Sequence, residues 1–281
     1  MRVIETISDL KAIVRTQKSI GRTIGFVPTM GYLHEGHLSL VNMSVHNHDY
    51  TIMSIFVNPT QFGPNEDFDR YPRDMERDLR LAEAAGVDVV FAPSVKEMYP
   101  DGFKTYVNVE GITEVLCGKS RPGHFRGVTT IVTKLFNIVE PHRAYFGQKD
   151  AQQVAVIKKM VKDLNMNVEI ITCPIVREED GLAMSSRNVY LSDEDRKSAL
   201  ILSKSLMESE ELIKNGETSG DKIKKYIIDR IQTEKNAQID YVEVVNADTL
   251  ESIDEIKGKV LIALAVRFGS TRLIDNIIVE V

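Results

Sequence analysis

Pro28-Thr29-Met30-Gly31-Tyr32-Leu33-His34-Glu35-Gly36-His37-Leu38 follows Thr23-Ile24-Gly25-Phe26-Val27, a short apolar run of strand type. It leads into a helical pattern carried by Leu38, Leu40, Val41 and Val45. Strand, glycine-bearing turn, then helix is how an α/β fold sets backbone N–H groups and a helix N-terminus beneath a phosphate. His34 and His37 stand three apart at the mouth of that helix and share a face, since a turn takes about 3.6 residues. Each can donate a hydrogen bond to a phosphoryl oxygen whose charge grows during a reaction. The bland alternative is a pair of helix-start histidines, one packed and one solvated. A zinc reading is weaker still, because the tetrad lacks the i, i+4 spacing of a zincin helix and no third ligand cluster stands out.

Outward from this stretch the chain alternates. Ser8 is placed to cap a first helix. Thr51 to Val57 reads as a buried strand ended by Asn58-Pro59, Asp74 to Ala85 as a helix stopped by Gly86, and Val87 to Phe91 as a third strand. Val128 to Val139 is an apolar-rich helix, Ala144-Tyr145-Phe146 a short strand, Ala151 to Leu164 a helix and Val168 to Thr172 a further strand. Strands alternating with helices predict a parallel sheet covered on both faces. After Asp180-Gly181 the rhythm changes. A long helix runs from the capping-box-like Ser192-Asp193-Glu194-Asp195 through Leu212, and a second from Asp221 to Ile231. Strand-like runs follow at Tyr241 to Val245, Val260 to Val266 and Ile277 to Val281. The expected architecture is therefore α/β: a Rossmann-like parallel sheet with helices on both faces over residues 1–178, and a smaller C-terminal α+β lid domain over 179–281.

The bulk properties set outer limits. At 281 residues, with 43% hydrophobic and 27% charged residues, the chain has the make-up of a globular enzyme with a sizeable core. A formal net charge of −6 argues against a generic nucleic-acid surface. Cys117 and Cys173 are the only cysteines, form no C-x-x-C pair, and suit a reducing compartment. No signal-peptide h-region opens the chain and no apolar run approaches membrane-spanning length, so the expectation is a cytoplasmic protein with no membrane partner.

Four further segments lie where such sheets bind ligands, at the carboxyl ends of strands. Asn58 and Gln61 are neutral groups able to read hydroxyl and carboxylate oxygens of a small polar substrate, or else an Asn-Pro turn with a solvated glutamine. Gly147-Gln148-Lys149-Asp150, followed by Ala151-Gln152-Gln153, places a mobile cation and a close-approach glycine at a strand-to-helix turn. It is not a Walker P-loop. Met184-Ser185-Ser186-Arg187 offers two hydroxyls and a guanidinium on a Gly-flanked loop, fit for a phosphate clamp or an ordinary surface loop. Gly118 to Gly127 is Gly-rich and basic, and reads equally as phosphate-facing or solvated.

Taken together, the segments resemble the pantoate–β-alanine ligase family, within the nucleotidyl-transferring Rossmann-like superfamily marked by His-x-Gly-His. The resemblance spans nearly the whole chain through Pro28 to Gly31, His34 to His37, Ser54 to Gly63, Tyr71-Pro72-Arg73, Met98 to Gly102, Gly147 to Asp150 and Asp180 to Asn188. It implies ATP-dependent condensation of (R)-pantoate with β-alanine through a pantoyl-adenylate, with AMP and pyrophosphate released. It further implies that Met30, Gly31, Tyr32, Leu33, His34, Glu35, Gly36 and His37 bind ATP, with His37 as the proton-donating or charge-stabilising histidine. Gly147, Gln148, Lys149, Asp150, Val176, Met184, Ser185, Ser186 and Arg187 complete the ATP set. Gln61 meets pantoate and β-alanine, and Gln153 meets pantoate. Mg²⁺ accompanies ATP, with Asp78 as an outer-shell partner, and a homodimer is implied. On chemical grounds His34, His37, Lys149 and Arg187 can oppose the charge that both steps build on phosphate oxygens. The rivals are another adenylyl- or cytidylyltransferase of the superfamily, which has no need of two acyl-site glutamines, and a nucleotide sensor, for which the cationic set would be superfluous.

Overall fold

The computed structural model describes residues 1–64 and 66–281. The chain forms two compact units: residues 1–110, 121–147 and 156–174 make up the first, and residues 111–120, 148–155 and 175–281 the second.

The first unit is built on β1 (Arg2–Ile4), β2 (Ile24–Thr29), β3 (Tyr50–Ile55), β4 (Val89–Phe91), β5 (Arg143–Gly147) and β6 (Glu169–Cys173). All pair in parallel, in the order β1-β4-β3-β2-β5-β6. Helices α1 (Ile7–Ser19), α2 (Glu35–Asn47), α3 (Met75–Ala84), α4 (Val95–Met98) and α6 (His124–Val139) connect them. The helix α5 (Leu116–Ser120) belongs to the second unit, and α7 (Ala151–Asp163) has residues in both. Helices α2 and α3 pack on one face of the sheet, and α1 and α6 meet on the other. The β2 strand reads buried at five of its six positions and β3 at all six, as a strand covered on both faces must. From β2 the chain winds to β3 and β4 in one direction, and later to β5 and β6 in the other. The strand order thus reverses between β2 and β5, where an open parallel sheet leaves a crevice for ligands. Thr29 and Gly147, the last residues of those strands, both open onto segments singled out from the sequence.

The second unit holds an antiparallel sheet, β7 (Ala237–Asn246), β8 (Lys259–Phe268) and β9 (Thr271–Glu280), with α8 (Asp193–Ser198), α9 (Leu200–Lys214) and α10 (Gly220–Ile231). Strand periodicity sorts β8 cleanly. Val260, Ile262, Leu264 and Val266 pack with Leu202, Leu206, Ile223 and Ile227, while Leu261 and Ala263 cluster with Leu116, Val245 and Leu250.

Some details differ from the sequence reading. Thr6, not Ser8, caps α1 by accepting the Asp9 N–H at 3.2 Å. The long helix after Ser192 carries an irregularity at Ala199, whose dihedrals stay right-handed (φ −63°, ψ −18°). β1 escaped notice because three residues are too few to show alternation. β9 begins at Thr271, six residues before the apolar run that announced it, because Asp275-Asn276 in its middle reads as a turn.

Candidate functional site

In the first unit the chain leaves β2 through a turn that few residues could make. Gly31 (φ +82°) and Tyr32 (φ +49°) are both left-handed, a region that disfavours a side chain such as tyrosine. Asp78 of α3 holds this turn. Its Oδ2 accepts the Tyr32 N–H at 2.6 Å and its Oδ1 the Leu33 N–H at 2.7 Å. A Cβ on residue 31 would sit 2.9 Å from that carboxylate and 3.0 Å from Ile55, so glycine is required. Asp78 is 1% exposed. Burial pushes its carboxyl above the usual range, against the two amide bonds that favour the charge. With both oxygens given to backbone amides, its observed work is to shape the turn.

The turn delivers His34 as the N-cap of α2, with Glu35 and Gly36 in its first turn. Nδ1 of His34 accepts the Gly36 N–H at 3.1 Å, and Nδ1 of His37 accepts the His34 N–H at 3.3 Å. This is a capping box made of two imidazoles, their rings 4.0 Å apart. An Nδ1 that accepts from an amide carries no proton, so in the neutral ring the proton is on Nε2. Both histidines are therefore set up as Nε2–H donors at a helix N-terminus.

Gln61 closes a short 3-10 turn, Pro59–Gln61, after β3. Its Oε1 accepts from Asn58 Nδ2 at 3.1 Å, and its Nε2 lies 3.1 Å from the Met30 sulfur. Sulfur is a weak acceptor, so the Gln61 amide presents its NH₂ as the working end. Asn58, 1% exposed, stands behind it. Its Oδ1 accepts from the Tyr99 hydroxyl at 2.8 Å and the Thr60 hydroxyl at 3.0 Å, and its Nδ2 also reaches the Gly127 carbonyl at 3.2 Å. Asn58 thus orients Gln61. In the basic Gly118 to Gly127 loop, Arg121 and His124 bond to Gln61 and Glu66, and Arg126 lies over the Tyr106 ring at 4.0 Å. Arg121 and His124 are half-buried among these partners, while Arg126 is exposed, as the solvated reading of that loop expects.

In the second unit, two buried polar residues of β9 organise the segments expected to bind nucleotide. Asn276 Nδ2 donates to the carbonyls of Gln148 and Lys149, both at 3.0 Å. This fixes the turn that carries Lys149, whose Nζ lies 3.4 Å from Asp150. Asp275 takes the Arg177 guanidinium in both oxygens, at 2.6 and 3.0 Å, and Arg177 also donates to the Gly181 carbonyl at 3.1 Å. Burial pushes the Asp275 carboxyl up, with Arg177 opposing. The Met184 N–H donates to Val176 at 3.0 Å, closing a hairpin before Ser185. Ser185 caps the turn Ser186–Tyr190 by accepting the Arg187 N–H, and Ser186 is buried. Gln153 is half-buried on the first turn of α7, while Gln152 is turned inward, donating to Ile112 and Val115 at 3.0 and 2.7 Å.

Sequence reasoning missed Asp275, Asn276 and Arg177. The available signal was a pair of adjacent polar residues inside an apolar strand, Leu273-Ile274-Asp275-Asn276-Ile277-Ile278-Val279. Buried polar side chains are kept where they have partners.

Residues 2–278 match the model of the pantoate-beta-alanine ligase family. Pantothenate synthetase of Acetivibrio thermocellus is 90% identical over 281 residues, covering all of both chains, and that of Caldicellulosiruptor saccharolyticus is 67% identical over the same span. Among solved structures, pantothenate synthetase of Thermus thermophilus aligns over 99% of both chains at 46% identity with a TM-score of 0.94. Pantoate-beta-alanine ligase of Francisella tularensis, solved with beta-gamma ATP and beta-alanine, aligns over 99% of this chain and 97% of its own at 36% identity, TM-score 0.80.

Proposed function

The chain belongs to the pantoate–β-alanine ligase family and is a ligase of that class, and we propose how its own residues divide the work of joining pantoate to β-alanine. A carboxylate is a poor electrophile. A pantoate carboxylate oxygen first attacks the α-phosphorus of ATP, the bond to the β-phosphate oxygen breaks, and pyrophosphate leaves a pantoyl-adenylate. The β-alanine amine then attacks the acyl carbon, loses a proton, and AMP departs with the carboxyl oxygen that carried it. No enzyme nucleophile takes part.

Both steps gather negative charge on phosphate oxygens. His34 and His37 donate to them through Nε2–H, with the amides of the first turn of α2 aimed the same way. Lys149 and Arg187 supply fixed positive charge, and Gly147, Gln148, Asp150, Val176 and Met184 to Ser186 shape the nucleotide's surroundings. Gln61 offers its NH₂ to the carboxylate and hydroxyl oxygens of pantoate and later to β-alanine, and Gln153 to pantoate. Asn58 acts on the acyl substrate through Gln61. Mg²⁺, as a hard oxygen-seeking cation, would come with ATP and would offset charge on its phosphates. Among the described residues no three His, Cys, Asp or Glu side chains converge into a cage for it.

The observation that carries this assignment is the pair of Nδ1 atoms capped by backbone amides, which fixes two Nε2–H donors at the helix N-terminus proposed to face the ATP phosphates. Mass spectrometry after incubation with ATP, Mg²⁺ and pantoate, without amine, tests it: wild type yields pantoyl-adenylate, and the double variant His34→Ala/His37→Ala yields none in the same time. We also propose, from the family resemblance alone, a cytoplasmic homodimer, and light scattering tests the dimer. No helix among the described residues is long and apolar enough to cross a membrane.

A further inference from the structure

Gln61 can read a substrate only if its backbone is held, and its own turn holds only its N–H, which donates to the Asn58 carbonyl at 3.5 Å. It is the last residue of a three-residue 3-10 turn, where carbonyls run out of internal partners. Two side chains from beyond the turn take the Gln61 carbonyl: His124 through Nδ1 at 2.8 Å and Arg121 through Nη2 at 3.3 Å. A carbonyl oxygen only accepts, so Nδ1 of His124 carries the proton. Arg121 only donates, and its Nη1 lies 3.0 Å from Nε2 of the same ring, so Nε2 is the acceptor. His124 is thus in the tautomer opposite to that of His34 and His37. Arg121 is aimed in turn by Glu66, which accepts from its Nε at 2.7 Å and Nη2 at 2.5 Å.

The first turn of α6 closes the arrangement from below. Gly127 lies against the same 3-10 turn, and a Cβ there would stand 2.6 Å from Cα of Gln61. Backbone cannot move aside as a flexible side chain can, so this close approach needs glycine. The Gly127 carbonyl accepts from Asn58 Nδ2, and that same Nδ2 holds Oε1 of Gln61. Gln61 is therefore fixed at both ends, its carbonyl by His124 and its amide by Asn58.

We infer that His124 is a positioning residue for the acyl substrate, setting through the Gln61 carbonyl where the Gln61 amide meets pantoate. The inference rests on the assignment of Gln61 made above. Its chemistry distinguishes the two ring nitrogens, and two variants separate them. In His124→Asn the amide NH₂ stands near Nδ1–H and can still donate to Gln61. In His124→Gln the amide reaches the place of Nε2, can accept from Arg121, and leaves the Gln61 carbonyl without its 2.8 Å donor.

The experiment measures KM and kcat for pantoate and for ATP in His124→Asn, His124→Gln and Gln61→Ala, with thermal unfolding of each. His124→Gln should raise the pantoate KM about tenfold, the worth of one net hydrogen bond, and leave the ATP KM within about twofold. His124→Asn should restore the pantoate KM to within about twofold of wild type. Equal pantoate KM values in the two His124 variants, or parallel losses for ATP and pantoate, would overturn the inference in favour of general packing. Gln61→Ala keeps the two claims apart. If it leaves pantoate binding unchanged, the Gln61 assignment itself fails; if it weakens pantoate while His124→Gln does not, only the brace fails. Should His124→Gln not fold, Glu66→Gln, which releases Arg121 one link further out, must raise the pantoate KM selectively, and an unchanged value rejects the brace.

Discussion

The two histidines of the tetrad are legible in sequence because their chemistry is local. Spacing puts them on one face, and the hydrogen bonds that fix their tautomers come from amides within three residues. His37→Ala is expected to slow adenylation about 100- to 1000-fold, the usual cost of one preorganised donor, while the fold persists with only the modest loss of stability, about 1 kcal/mol, that removing a cap brings. Pre-steady-state pyrophosphate release at saturating ATP measures this, and a rate equal to wild type would remove His37 from the chemistry. Asp78 is different in kind. Its partners lie 45 and 46 residues away in sequence, and no local pattern could reveal that a helical aspartate holds a left-handed Gly-Tyr turn. Asp78→Ala strands two buried amides, so it should cost roughly 1–3 kcal/mol for each and weaken ATP binding through the distorted turn. Urea unfolding with ATP titration of the folded fraction checks both. Unchanged stability would mean that the turn holds itself.

At the level of elements, strands and helices could be located because apolar periodicity reports burial. What periodicity cannot report is which polar interruption has a partner. β9 shows this: Asp275-Asn276 looks like a chain reversal, yet both residues are 2% exposed and fully engaged. Removing Asp275 leaves the Arg177 guanidinium, itself only 18% exposed, without its counter-charge. Asp275→Ala should therefore destabilise the protein by about 3–5 kcal/mol, as breaking one side of a buried pair does. Asn276→Ala removes the bonds to the Gln148 and Lys149 carbonyls and to the Gln148 side chain, and should raise the ATP KM with a smaller effect on stability. A calorimetric and kinetic comparison of the two variants tests this division, and equal effects on both quantities would refute it. The brace beside Gln61 has its own pH signature. Burial raises the Glu66 carboxyl, but hydrogen bonds and charge from Arg121 outweigh it and hold the group below the usual range. A carboxylate lowered by folding contributes stability above its unfolded value and loses it as pH falls through the folded one. Wild type should thus lose more stability than Glu66→Gln between about pH 5 and pH 3. Parallel curves for the two would show that the pair contributes nothing.

For the whole molecule, a sequence reads as a line while the fold groups segments by packing. A change of rhythm near Asp180-Gly181 suggested one boundary, whereas packing gathers residues 111–120, 148–155 and 175–281 into one unit. Long-range partners account for this grouping: Gln152 holds the carbonyls of Ile112 and Val115, and Leu116, Ala151 and Ala155 share an apolar cluster with Val245 and Leu261. None of these partnerships leaves a mark at its own position in the chain. The motifs themselves were legible, since Met184 to Arg187 sits in a hairpin closed by its own neighbours, Val176 with Met184 and Arg177 with Ala183. That compactness bears on the second half of the reaction. A pantoyl-adenylate hydrolyses if water reaches it before the amine, so the enzyme must hold AMP as firmly after adenylation as it held ATP before. The Ser185 hydroxyl accepts the Arg187 backbone N–H, and the role proposed for the Arg187 charge extends to both steps. Arg187→Ala should therefore slow adenylation and also release intermediate, so that more AMP forms than pantothenate. Counting both products in one time course gives the ratio directly. A ratio held at the wild-type value while the rate falls would confine Arg187 to charge stabilisation in the first step, and a rising ratio would make it a retainer of the intermediate as well.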